Sequence, residues 1–261
     1  MNQTPDLTDD QRGTRRLWTG VASLLAFLGI WEAAATLTGV PAFVLPSPSR
    51  IATTLATRFD TIWPEALVTL GEITGGFLAG TLAGLCFALL MARWRIAEDA
   101  FGPLLVVAQA LPVFAIAPVL VLWFGFGYAS KIAMAGLIIF FPVASSFFEG
   151  LRRTDPGLLD LARLNRASAF DTLRLIRVPA ALPSLASGLR IAAAVAPLGA
   201  IVGEWVGSSA GLGLLMLHAN ARMQTDMVFA ALFVLVVMSL LLWAAVGALT
   251  RLMLHWSPQT S

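Results

Sequence analysis

EGLRRTDPGLLDLARLNRASAFDTLRLIRVPAALP, residues 149–183, places nine charged residues between Arg152 and Arg177 in a chain that otherwise avoids charge. The residues before it, 132–148, carry no charge, and the residues after it turn apolar again. A charged island between two apolar runs is a loop outside the membrane joining two spans. Asp155-Pro156 is a helix start, with Asp at the cap and Pro at the first helical position. Leu158, Leu161, Ala162 and Asn165 then share one face at helical spacing. Ser168 followed by Asp171 forms a second capping pair, with Asp in place of the usual Glu. That spacing predicts a second short helix to about Ile176, stopped by Pro179. The segment thus reads as two short helices joined by a turn at the membrane surface. Such a segment is an ordinary loop, or its apolar-faced helix docks in a partner's groove.

Working outward, charged residues punctuate apolar runs of about 20 residues, the length a spanning helix needs. Spans are expected at about 17–38, 66–92, 101–125, 132–149, 183–205 and 227–250, with the connecting loop at 150–182. The span at 183–205 contains Arg190, which is expected to reach toward an interface. The expected fold is all-α: a polytopic membrane helix bundle of six transmembrane helices in a single domain, residues 1–261. Composition agrees, with 58% hydrophobic residues, 12% charged residues and mean hydropathy +0.82. A soluble domain carries roughly 25% charged residues, so most of this surface must face lipid. A net charge of +2 offers no field for nucleic acid.

Orientation follows from the basic residues. With the N-terminus inside, the inner segments hold Arg12, Arg15, Arg16, Arg93, Arg95, Arg152, Arg153, Arg163, Arg166, Arg174, Arg177 and Arg251, which is twelve. The outer segments hold Arg50, Arg58, Lys131 and Arg222, which is four. Both termini are therefore expected in the cytoplasm, and Trp18, Trp63, Trp94, Trp205 and Trp256 fall near span ends. A cleaved signal peptide is the rival reading of residues 15–35. In the outer loop, about 39–65, Pro46 and Pro48 break helix and Ser49 is a cap for a short helix at about 50–58. Cys86, the only cysteine, reads as a small core residue. His218 and His255 are too far apart to suggest a metal site.

Polar residues inside spans are functional candidates by default. Gln109, Ser145, Ser146 and Glu204 lie in or at the end of spans, with Ser208, Ser209 and Asn220 beyond the fifth. They are the expected lining of a polar, uncharged solute route. Glu32 and Glu72 sit toward the outer face. Rows of small residues in the second span (Gly71, Gly75, Gly76, Gly80, Gly84) and in the fifth (Gly188, Ala192, Ala196, Gly199, Gly203) predict close helix packing. Pro112, Pro118, Pro142 and Pro197 interrupt spans, and broken helices often mark substrate paths in transporters.

The loop also resembles the motif of ABC importer permeases, written Glu-Ala-Ala, three residues, Gly, nine residues, Ile, one residue, Leu-Pro. Asp160-Leu161-Ala162 stand for Glu-Ala-Ala, Arg166 stands at the glycine, and Ile176 and Val178-Pro179 complete the spacing. The family glycine permits a tight turn, and Asn165 is the residue here expected to take up left-handed geometry. ALPVFAIAPVLVLWFGFGYASK (110–131), the stretch from Pro142 to Gly150, RRTDPGLLDLAR (152–163) and GEWVGSSAGLG (203–213) extend the likeness. The chain resembles the nitrate/sulfonate/taurine permease group over roughly residues 30–255. ALPVFAIAP and HANARMQTD look closest to permeases for a hydroxymethylpyrimidine thiamine precursor.

This resemblance implies the fold of a type I ABC importer permease in the bacterial inner membrane, with the helix at 156–165 as the coupling helix. It implies cytoplasmic ATPase subunits, an extracytoplasmic solute-binding protein and a second permease copy as partners. Docking to the ATPase is expected from Asp160, Ala162, Arg163, Asn165, Arg166 and Ser168. The chain itself is not expected to be an enzyme or to hold a cofactor. It has no Gly-x4-Gly-Lys-Ser/Thr loop to cradle phosphates, so ATP and Mg would be used by the partner ATPase. The alternative is an ion-coupled secondary transporter, which would need ionisable groups within its spans.

Overall fold

The computed structural model describes residues 9–109 and 111–254, with side chains for 18–109 and 111–254, so Trp256 and His255 lie outside the described residues. These residues are helical throughout their ordered elements. The described residues form two compact units, 9–59 with 219–230, and 60–218 with 231–254.

In the smaller unit, α1 (Asp9–Leu37) is apolar enough to cross a membrane and α2 (Pro48–Thr57) is short. The cap of α2 is Ser47, with Pro48 at the first helical position, which corrects the expectation of Ser49. Pro48 has no N–H to leave unpaired, so it starts a helix better than it precedes one. Ser49 serves otherwise: its N–H and hydroxyl both donate to Glu32 of α1, at 2.9 and 2.7 Å. Thr54 donates to Asp226 at 3.1 Å, and Thr225 donates to the Phe43 carbonyl at 2.6 Å.

The larger unit is built around α6 (Tyr128–Arg152), which lies between α3 (Phe59–Arg93) and α9 (Val178–Gly207). Lipid supplies no hydrophobic drive between helices, so association relies on close packing through small residues. An added Cβ at Gly188 would lie 2.8 Å from the Pro142 carbonyl oxygen, and one at Gly199 would lie 2.6 Å from the Ala135 Cα. On the other side Gly76, Gly80 and Gly84 of α3 meet Ala135, Gly136 and Val143. The glycine rows are therefore packing seams. Ile139, Val143, Phe147 and Leu151 of α6 fill the core with Ile73 and Met91 of α3 and Leu189 of α9. Val246 of α11 (Thr225–Met253) joins the same core.

Two expected spans differ in form. The one at 101–125 is two half-helices, α4 (Arg95–Gln109) and α5 (Val113–Phe124), bent by 107°. Pro112 caps α5 with extended backbone and cannot donate back into α4, so the ladder stops there. The span expected at 183–205 starts earlier. Pro179 does not end the preceding helix; α8 (Ala169–Thr172) runs through a π-helical turn, Leu173–Arg177, into α9. The wider turn places Pro179 at the start of a new helical register, where its missing N–H costs little. Arg190 is exposed on α9 and its Nε donates to Thr250 of α11 at 3.2 Å. Cys86 is exposed, not in the core.

Candidate functional site

Between α6 and α8 the charged loop folds as its local signals dictate. The Asp155 carboxylate accepts from the Gly157 N–H at 2.7 Å and starts α7 (Pro156–Leu164). Ser168 caps α8, accepting from the Asp171 N–H at 3.1 Å and donating to the Asp171 carboxylate at 2.6 Å. The turn between them closes by two reverse hydrogen bonds, Arg166 N–H to the Arg163 carbonyl and Ala167 N–H to the Ala162 carbonyl, both 3.0 Å. This is the Schellman arrangement, which needs one left-handed residue. That residue is Arg166, at φ 52°, whereas Asn165 sits at φ −80°. The expectation that Asn165 would take the turn is corrected: its side chain instead donates to the Leu161 carbonyl at 2.8 Å, which holds it helical.

Of the six expected docking residues, Asp160, Arg163, Asn165, Arg166 and Ser168 are exposed. Asp160 and Arg163 pair with each other at 2.8 Å. Ala162 is buried, 4% exposed, so it seats α7 on the chain's own body and does not face outward. The outward apolar surface comes from Leu158, Leu161 and Leu164, the last two 54% and 82% exposed. The loop is fastened by Arg177, which sequence reading counted only as a topology charge. Its guanidinium donates to the Leu151 carbonyl at 3.0 and 3.1 Å and to the Ala92 carbonyl at 3.0 Å. Those carbonyls end α6 and α3, where a cation is favoured and acceptors are otherwise unfilled.

Gln109 and Ser145, two of the expected pathway residues, come together on one cavity of 790 Å³ beside α4 and α6. Its charges are largely neutralised within the chain: Arg152 pairs with Glu98 at 3.2 Å and Arg153 with Glu149 at 2.6 Å. Gln109 donates to the Leu105 carbonyl at 3.2 Å and Ser145 donates to the Phe141 carbonyl. The Gln109 oxygen and one Ser145 lone pair stay available. Ser146 packs against Gly188 at the α6–α9 seam.

Glu204 is elsewhere. It is fully buried, accepts from the Thr69 hydroxyl at 2.6 Å and accepts from the Gly213 N–H. Thr69 in turn accepts from the Leu212 N–H at 2.8 Å, and Glu65 accepts from the Gly211 N–H. Ser208 bonds back onto Ala210. These contacts tie the stretch after α9 down onto α3, with Glu204 and Ser208 holding the turn. Gly211 is at φ 120°, and an added Cβ would overlap the Glu204 carboxyl. Ser209 is exposed, as is Asn220 near the end of α10 (Leu212–Ala221).

Beside this latch lies a pair that sequence reading missed. Lys131 Nζ is 2.9 Å from Glu72 Oε1, with side chains only 4% and 0% exposed. An isolated charge buried in the bundle would be strongly disfavoured; the pair keeps both groups. The signal was present, since the single lysine and a lone span glutamate both stood near the outer ends of their runs. Which helix faces meet was not readable.

Comparison with known proteins assigns the frame. A family described as "Binding-protein-dependent transport system inner membrane component" matches residues 76–255. The chain belongs to that family. This permease is 53% identical over 219 residues to a "Probable ABC transporter permease protein" of Haemophilus influenzae, covering 84% of this chain and 89% of the relative. It is 37% identical to the riboflavin transport system permease protein of Chloroflexus aurantiacus (90% and 88% covered). It is 35% identical to the formylaminopyrimidine transport permease protein of Halalkalibacterium halodurans (89% and 93% covered). Its fold matches a chain of the inward-facing MetNI methionine ABC transporter with TM-score 0.65 at 19% identity, covering 74% of this chain and 95% of the other. The permease is thus the inner-membrane subunit of an importer for small solutes, in the nitrate/sulfonate/taurine group. ATP hydrolysis belongs to a separate subunit.

Proposed function

We propose that this permease imports a small planar nitrogen heteroaromatic, of the pyrimidine thiamine-precursor class, with α7 as the helix that an ATPase subunit grips. Both termini face the cytoplasm, a second identical copy completes the pathway, and a solute-binding protein delivers from outside. ATP and Mg act in the ATPase subunits. The observation that carries the docking reading is α7 itself: capped at both ends, fastened through Ala162 and Arg177, with Leu161 and Leu164 outward. A rigid helix with an exposed apolar face suits a groove. Asp160, Arg163, Asn165, Arg166 and Ser168 would form its polar rim. The substrate reading is supported by the two relatives whose names specify riboflavin and formylaminopyrimidine, both planar and nitrogen-rich. It is also supported by the cavity at Gln109 and Ser145, which offers hydrogen-bonding groups among charges that are mostly paired.

The test is affinity purification of the detergent-solubilised permease from its own membranes, followed by identification of co-purifying subunits and ATP hydrolysis. Recovery of an ATPase with the parent chain, and its loss with Leu161→Glu at unchanged thermal stability, is the expected result. Equal recovery with both would remove docking from α7. Uptake of labelled formylaminopyrimidine, set beside uptake of labelled taurine, separates the substrate classes; uptake of taurine without formylaminopyrimidine would refute the heteroaromatic reading.

A further inference from the structure

A groove of 430 Å³ runs between the last turns of α3 and the α8–π segment of the larger unit. Its walls are apolar, and Cys86, Leu90 and Arg93 follow one another along α3 at positions i, i+4 and i+7. At 1.5 Å per residue this stripe is about 10 Å long. It starts two turns before the end of α3, at Cys86, and ends at the loop end with Arg93. Arg174 lies on the opposite wall, and Trp94 and Phe170 stand exposed beside it.

Several arginines nearby are engaged within the chain, whereas those at this groove, like Arg95 and Arg166 outside it, are not. Arg152, Arg153 and Arg163 pair with carboxylates, and Arg177 is filled by backbone carbonyls. Among the described residues Arg93 and Arg174 have no such partner, and both are exposed. An apolar channel with two unpaired arginines among its lining residues, flanked by aromatic rings of the kind that settle at a membrane surface, matches one amphipathic ligand. We propose that this groove holds an anionic phospholipid, one acyl chain along Cys86–Leu90 and its phosphate between Arg93 and Arg174. The bound lipid bridges α3 to the segment that fastens α7. A free anion would satisfy the arginines but leave the apolar channel unused.

Native mass spectrometry of the permease in mild detergent, titrated with phosphatidylglycerol or phosphatidylcholine, tests this without any partner subunit. One phosphatidylglycerol should be retained in preference to phosphatidylcholine. Arg93→Gln with Arg174→Gln should weaken retention about twenty-fivefold, roughly fivefold for each cation near an anionic headgroup. Cys86→Trp, which fills the channel and keeps both arginines, should also weaken it. Equal retention of the two lipids, retention unchanged in either variant, or displacement by millimolar inorganic phosphate would overturn the proposal. The importer assignment stands or falls on other measurements.

Discussion

Around residues 204–213 charge is buried and answered inside the chain, whereas on α7 itself it is exposed and answered, if at all, by neighbours a turn away. Glu72 meets Lys131 and Glu204 meets Thr69 and Gly213 across different helices. Asp160 meets Arg163 and Glu149 meets Arg153 on the same helix. Surface pairs of the second kind contribute little to stability, about 0–1 kcal/mol. Buried pairs of the first kind are costly to break. The first region is closed by contacts within the chain. The second leaves side chains and an apolar face for another protein.

The sharpest way to break this contrast is Lys131→Met. It strands Glu72 inside the bundle and should cost about 3–5 kcal/mol, seen as a large fall in the unfolding temperature in detergent. Adding Glu72→Gln should recover most of the loss. A single variant as stable as the parent would mean that the pair is not closed. Glu204→Ala comes next. It leaves the Gly213 N–H and the Thr69 hydroxyl unanswered, for about 3 kcal/mol. Limited proteolysis should then cut within residues 208–221 and spare the α7 loop; cutting at both would couple regions that are held here to be independent.

Arg177→Gln acts at the opposite end. Losing charged donors to the Leu151 and Ala92 carbonyls should cost about 2 kcal/mol. Hydrogen exchange should quicken in residues 153–177 and stay unchanged near Glu204. The smallest effect is expected from Arg166→Gly. It relieves a left-handed residue worth about 1 kcal/mol, so the unfolding temperature should rise slightly and ATPase recruitment be kept or strengthened. Loss of recruitment would show that the Arg166 side chain itself makes the contact.

Much of the loop was legible in advance because its signals are local. Asp155-Pro156 and Ser168 with Asp171 act within three residues of chain, so their caps formed where read. The choice between Asn165 and Arg166 was not legible. Both can be forced into a turn, and the outcome rests on the paired carbonyls of Ala162 and Arg163 and on the Asn165 bond to Leu161. Pathway residues were legible as polar but not in their roles: Gln109 and Ser145 share a cavity, while Glu204 is consumed by a turn.

Sequence alone determined that this chain lives in a bilayer, which of its runs are long and apolar enough to cross one, and which loop carries the family motif. Those properties depend on runs of about 20 consecutive residues and on short spacings. Only the tertiary structure decided that one span breaks at Pro112, that Arg177 fastens the loop, and that Thr69 and Glu204, 135 residues apart, share a proton-donating contact. Such pairings depend on which faces of α3, α6 and α9 meet. Packing of glycine seams against neighbouring backbone fixes those faces, and no local spacing encodes the rotation of one helix against another.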